Sequence, residues 1–357
     1  MDKIKLDEKT GYEVYEGTRD VWLWPFDRHS IWNTPIGDKA IYEPANLLPE
    51  PAFSIDEELV FTTTLDDDYL EICNAAPGAG RWPEEKDLIH TGRYMYWPKG
   101  MVVGRVSGNE CCAILQPDGR TIVQMQPTCR LYYDSKYIVG YDRRVNVDIY
   151  GDGIPGTHWG SGLSSIGGSL RMGELINDEP IRHALKLNIL CGEYSYFDEN
   201  IRGCRWPADR CDSCAYNDYQ NTEIGERYCG TNPEVVMGSL LAIPPEVDID
   251  SVGLRTKVGK KLFRALQDYG CYVTDNTSWP AYAFSAEYGV KRETEAKYNF
   301  RMKGFVHDNY LDSQWDYFHD VGTLVCLLHV ITNSAPDNIG GGGKPRVPLA
   351  PDFKEEK

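Results

Sequence analysis

The chain has 357 residues, 41% hydrophobic and 25% charged, which suits one large all-β domain or two smaller ones with a sizeable core. Its 54 acidic residues against 37 basic ones give a formal net charge of −17. That balance argues against a nucleic-acid partner and against docking on anionic membranes, and it suits a neutral or cationic partner, a metal ion, or plain solubility.

No apolar run reaches the roughly 18 residues of a membrane span, so no membrane insertion is expected. The longest run, residues 321–331, contains a histidine. Residues 1–20 are polar and read as a flexible N-terminal segment without the apolar stretch of an export signal. SIWNTPIG (residues 30–37) reads as an anchored turn. Short runs rich in Val, Ile, Thr and Tyr then read as strands at 58–65, 101–106, 111–116, 121–127, 130–142 and 145–151, separated by turns such as PDGR. In the run at 121–127, alternation places Gln124 and Gln126 on one face. Further strands are expected at 183–191, 235–244 and 271–275.

Between them the period changes. Val258, Leu262, Ala265, Leu266 and Tyr269 share one helical face, and Gly270 stops that helix. A second helix is expected over 314–331, with Trp315, Phe318, Val321, Val325 and Leu328 inward. Residues 336–357 hold four consecutive glycines and several prolines and read as an extended tail, free to lie across a neighbouring copy. The expectation is a mostly-β fold: one β-sandwich or jelly-roll-like domain over 21–335, with two appended helices.

Asp148 and Asp152 sit four apart at a strand end and a glycine turn, where carboxylates and carbonyls can hold calcium, although aspartate is also an ordinary turn residue. His158 and His183 flank a glycine-rich stretch and are candidates for a catalytic base and acid. The alternative is that each is a core histidine bonded to a carbonyl. Arg171 and Glu174 form an ion pair or, in a site, a clamp for a substrate carboxylate with Glu174 as an alternative acid. Asp275, at a strand end, is a second candidate acid. HWGSGLS is not the serine-hydrolase elbow, and GSGLSSIGG lacks the lysine of a phosphate loop.

Gln124, Gln126, Arg205, Trp206 and Trp279 are candidate substrate contacts, because aromatic faces beside polar groups stack on sugars. Among the 11 cysteines, Cys204, Cys211, Cys214 and Cys229 are the dense group. They could form local disulfides, stay as thiols, or bind an all-thiolate structural zinc.

The stretches SIWNTPIG, DIYGDGIPGTHWGSGLSSIGGSLRMGEL, IRHALKLN, RWPA, ALQDYGCYVTDNTSW and VITNSAPDNIGGGGKPRVPLAP run in this order over most of the chain. In them the chain resembles a largely uncharacterised group of secreted bacterial and phage-associated β-sandwich proteins, often found beside carbohydrate-related modules. The resemblance implies an extracellular or surface location and carries no catalytic residues with it. Two functions are expected from these signs. One is cleavage of a polysaccharide, as hydrolase or lyase, in an aromatic-lined cleft. The other is a non-catalytic surface, filament or virion protein that binds glycans or assembles with itself as a homo-oligomer.

Overall fold

The structure is a computed structural model that describes residues 3–8, 10–80, 83–104, 109–215, 227–305 and 313–354. Strands take 31% and helices 15%, so the mostly-β expectation holds. The strands are β1 (Ile4–Leu6), β2 (Glu13–Tyr15), β3 (Thr18–Arg19), β4 (Tyr42–Pro44), β5 (Ala52–Thr62), β6 (Asp68–Ala75), β7 (Leu88–Trp97), β8 (Cys112–Leu115) and β9 (Thr121–Cys129). They continue as β10 (Tyr137–Asp148), β11 (Leu185–Ile189), β12 (Leu240–Ala242), β13 (Cys271–Asn276), β14 (Tyr282–Glu287), β15 (Gly304–Phe305), β16 (His329–Ile331) and β17 (Asp352–Phe353). The α-helices are α1 (Cys191–Tyr194), α2 (Lys257–Asp268), α3 (Val290–Tyr298) and α4 (Ser313–Cys326).

One mixed sheet dominates, in the order β4-β16-β12-β13-β11-β14-β5-β8-β9-β10-β6-β7, with β15 also on β5. Its pairing traces one open path that does not close. The two halves meet at β5. Eleven residues long, it pairs with β14 through 53–58 and with β8 through 59–62, so both halves join on a single strand.

Strand alternation decides what each face carries. On one face of the first half, Leu185, Leu187, Val273, Phe284 and Ile55 pack into the largest core cluster, under α2 and α4. Thr256 caps α2 by accepting from the Gly259 N–H at 2.8 Å. The buried Asp320 of α4 then accepts from the backbone N–H groups of Arg255 (2.8 Å) and Thr256 (2.7 Å), locking the two helices together. The expected inward face of α2 is buried throughout, and Gly270 ends that helix at φ +76°. The second expected helix stops at Cys326, and 329–331 pairs as β16 instead.

Two helices were expected beside the strands; α1 and α3 were not foreseen. α3 is a charged segment whose hydrophobic period is weak, and it is set off by left-handed Gly289 and Asn299. Strands β6 and β7 were also unforeseen, being half-exposed and, in β7, interrupted by a glycine. The expected strand at 101–106 reduces to one bridge from Val103 to Arg130, and its residues 105–106 lie outside the described residues.

The termini are tied down. β1 pairs with β2, and β17 pairs with β3 in parallel. Leu349 N–H donates to Glu13 at 2.8 Å, and Arg346 N–H donates to Ile36 at 2.9 Å. The tail therefore lies on the N-terminal segment and on SIWNTPIG of its own chain. Among the described residues no helix is long and apolar enough to cross a membrane.

Candidate functional site

The face of β5, β11 and β13 opposite the helical core is polar. Alternation in SIDEE sends Asp56 and Glu58 to that face, and alternation in LKLNI sends Lys186 and Asn188 there, while Leu185, Leu187 and Ile189 fill the core. Thr274 of β13 joins them, donating to Asn188 Oδ1 at 2.9 Å.

The glycine-rich stretch of residues 153–170 covers this face. Gln124 and Gln126, on one side of β9 as expected, are buried and hold the cover rather than opening onto solvent. Gln124 Oε1 accepts from Ser165 N–H at 2.7 Å, and its Nε2 donates to the Pro155 carbonyl at 3.0 Å. Gln126 Oε1 accepts from Trp159 N–H at 2.8 Å. Glycine is required where backbones meet: a Cβ on Gly156 would lie 2.2 Å from the Leu163 oxygen. Gly156→Ala is expected to cost about 3 kcal/mol, read as a lowered thermal midpoint.

Under this cover lies a buried ionic cluster. Glu58, His158 and Lys186 are each at most 1% exposed. His158 Nε2 is 2.5 Å from Glu58 Oε1. Lys186 Nζ donates to both Glu58 oxygens (2.7 and 2.8 Å) and to the Ser164 carbonyl (2.9 Å), and lies 2.9 Å from His158 Nε2. Ser169 Oγ also donates to Glu58. On the other side of the ring, Asp275 Oδ2 stands 3.5 Å from His158 Nδ1 and accepts from Asn109 Nδ2 at 2.9 Å. The next carboxylate along β5, Asp56, is only partly covered and accepts from Asn188 at 3.1 Å.

The charges explain the proton affinities. Burial alone would raise the Glu58 carboxyl, but Lys186 and His158 outweigh it and hold it below the ordinary value. Burial and Lys186 push His158 down, yet Glu58 and Asp275 prevail and raise it. Asp56 rises to about 6, chiefly by burial, then through Glu58 and with a contribution from Asp275. Glu58, Cys111 and His158 also form one of two groups of three metal-type donors among the described residues. Here the place a cation would take is filled by the Lys186 ammonium.

Set against family models, curated proteins and solved structures, the chain matches none.

The remaining candidates fall into separate places. His183 Nε2 lies 3.2 Å from each Glu174 oxygen, and its Nδ1 is 2.9 Å from the Ala184 carbonyl. Arg171 pairs with Glu287 (2.9 Å), donates to the Trp22 carbonyl (2.7 Å) and stacks 4.9 Å from the Trp22 ring. The fissure that Arg171 and His183 line has about 10 Å³, room for one water and not for a sugar. Arg171 is thus committed to its own chain.

His183→Gln is expected to lower stability by about 1–3 kcal/mol in denaturant melts. Burial lowers His183, but Glu174 overrides it and raises the imidazole above its ordinary 6.5. That stabilisation is present below pH 6.5 and fades as pH rises through the raised value. Glu174 is held low by His183 against the effect of burial, so its share fades as pH falls through the lowered value.

Asp148 is taken by Arg120 (2.5 and 2.9 Å) and caps Tyr150 N–H, while Asp152 accepts from Ile154 N–H. A guanidinium therefore stands where calcium was expected, and the two aspartates serve as turn residues. Arg205 pairs with Glu234 at 2.6 Å and donates to the Thr332 carbonyl, and Trp206 packs partly buried on the second core cluster. Trp279 leans on Phe305, ring centroids 5.8 Å apart.

All eleven cysteines are free thiols, so the disulfides expected among Cys204, Cys211, Cys214 and Cys229 are not formed. Neither three-donor metal group among the described residues includes them, and Cys211 Sγ donates to the Arg202 carbonyl. Of the residues singled out from the sequence, the structure brings His158 and Asp275 together; Asp56, Glu58, Lys186 and Asn188 were missed. Their signal was charge and amide at every second position of otherwise apolar strands.

Proposed function

We propose that the chain is a carbohydrate-active hydrolase that cleaves a polysaccharide, with Asp56 as proton donor and Asp275 as the second carboxylate. One observation carries this reading: Asp56, partly exposed and raised to about 6, sits within electrostatic reach of Asp275. Carboxyl groups with unlike surroundings divide acid and base roles, and glycoside hydrolysis uses two of them roughly 5–10 Å apart. Trp159, next to His158 in sequence, is 39% exposed and offers an aromatic face on which a sugar ring can stack.

Hydrolysis is favoured over elimination. A lyase needs a cation to neutralise a uronate, but Lys186 and His158 face Glu58 and Asp275, and Arg171 faces Glu287. Among the described residues these cations are engaged by carboxylates of the chain itself, which suits a neutral glycan as the substrate class. On compartment, the resemblance points to the cell exterior or a virion surface, whereas the eleven free thiols suit a reducing medium.

The burial of Glu58, His158 and Lys186 favours a second reading: a non-catalytic glycan-binding or surface protein whose ionic cluster only pins the glycine-rich cover. A panel of neutral and anionic polysaccharides separates the two. New reducing ends from a neutral glycan, without absorbance from unsaturated products, support the hydrolase. Unsaturated products overturn hydrolysis, and no product from any glycan leaves only the binding role.

A further inference from the structure

The second three-donor group lies far from the polar face, on the edge hairpin of the sheet. Glu71 and Cys73 are two apart on β6 and so share a face. Opposite them the register slips: Ile72 faces Arg93 but Cys73 faces His90, leaving Thr91 and Gly92 as extra residues in β7. This irregularity brings His90 over both side chains. His90 Nδ1 is 2.9 Å from Glu71 Oε2 and 3.7 Å from Cys73 Sγ, and all three donor atoms lie within 4.8 Å of one another.

We propose that Glu71, Cys73 and His90 form a zinc site on this hairpin. Tetrahedral zinc with bonds of about 2.0–2.3 Å needs ligand atoms roughly 3.3–3.8 Å apart, so the three require only small movements. One nitrogen, one thiolate and one carboxylate select a borderline ion such as zinc or cobalt over calcium or magnesium. The other Glu71 oxygen accepts from Gly92 N–H at 2.9 Å, which orients the carboxylate from outside the ligand set. Cys73 is buried and His90 is exposed, so the fourth position opens to water. Burial and then Glu71 push the Cys73 thiol up to about 11, with Arg144 acting only weakly the other way, so zinc must compete with a proton for this ligand. Among the described residues no lysine ammonium is hydrogen-bonded to Glu71, Cys73 or His90, unlike the Glu58 group. On binding, the Cys73 thiol gives its proton to solvent.

The proposal is independent of the hydrolase reading, and its test does not use activity. Full-length protein, stripped by chelator, is titrated with Co²⁺ and then Zn²⁺. The expected result is saturation at one equivalent with a near-ultraviolet thiolate-to-cobalt band, displaced by zinc. His90→Ala, an exposed change that leaves the fold intact by circular dichroism, should abolish the band, as should Cys73→Ser. A double Cys211→Ser/Cys214→Ser variant should keep it. Absence of the band, its survival in His90→Ala, or its loss in the Cys211/Cys214 variant overturns the proposal.

Discussion

Lys186→Met should remove about 3–5 kcal/mol of stability, because it leaves a buried carboxylate without its cation. The side chain is fully buried on β11, and its ammonium is the common partner of both Glu58 oxygens and of the Ser164 carbonyl. Methionine keeps the volume but supplies no donor. Glu58 would then have to keep its charge against His158 alone or take a proton, and the glycine-rich cover would lose one of its ties. Urea unfolding followed by tryptophan fluorescence should show a lower midpoint at unchanged slope. The double variant Lys186→Met/Glu58→Gln should recover part of the loss, with a coupling above about 1 kcal/mol. A single-variant loss under about 1 kcal/mol would mean that the cluster does not hold the corner.

The same cluster shows what a sequence can and cannot reveal. Helix α2 was legible because its apolar face and its glycine stop both point to one element. Strands β8, β9 and β11 were legible from β-branched and aliphatic runs between turns. Strand β7 was not, because half of it faces solvent and its pattern is broken by Gly92. The site was legible only where a residue type announces proton transfer, as His158 and Asp275 do. Glu58 and Lys186 stand 128 residues apart, and nothing local says that two antiparallel strands with β14 between them will bring these side chains together. Strand order across the sheet, which decides such meetings, is set by long-range packing. The pairing of the two ends was not legible for the same reason, since each satisfies backbone groups of the other.

Asp56→Asn should lower the rate of glycan cleavage by about 10²–10⁴-fold while leaving the fold intact, since the amide keeps the shape but cannot give up a proton. The wild-type rate should fall as pH rises through about 6, because the donor must be protonated and its carboxyl titrates there. The variant should lose that limb of the profile, which a merely structural role would not predict. Stability should move the other way in the two proteins. The folded chain raises Asp56 from 3.8 to about 6, so its carboxyl favours folding below pH 3.8 and that contribution is lost as pH rises through about 6. Removing the ionisable group should therefore make Asp56→Asn more stable than wild type above pH 6 and not below pH 3.8. A rate that keeps its descending limb in Asp56→Asn would remove Asp56 as the donor.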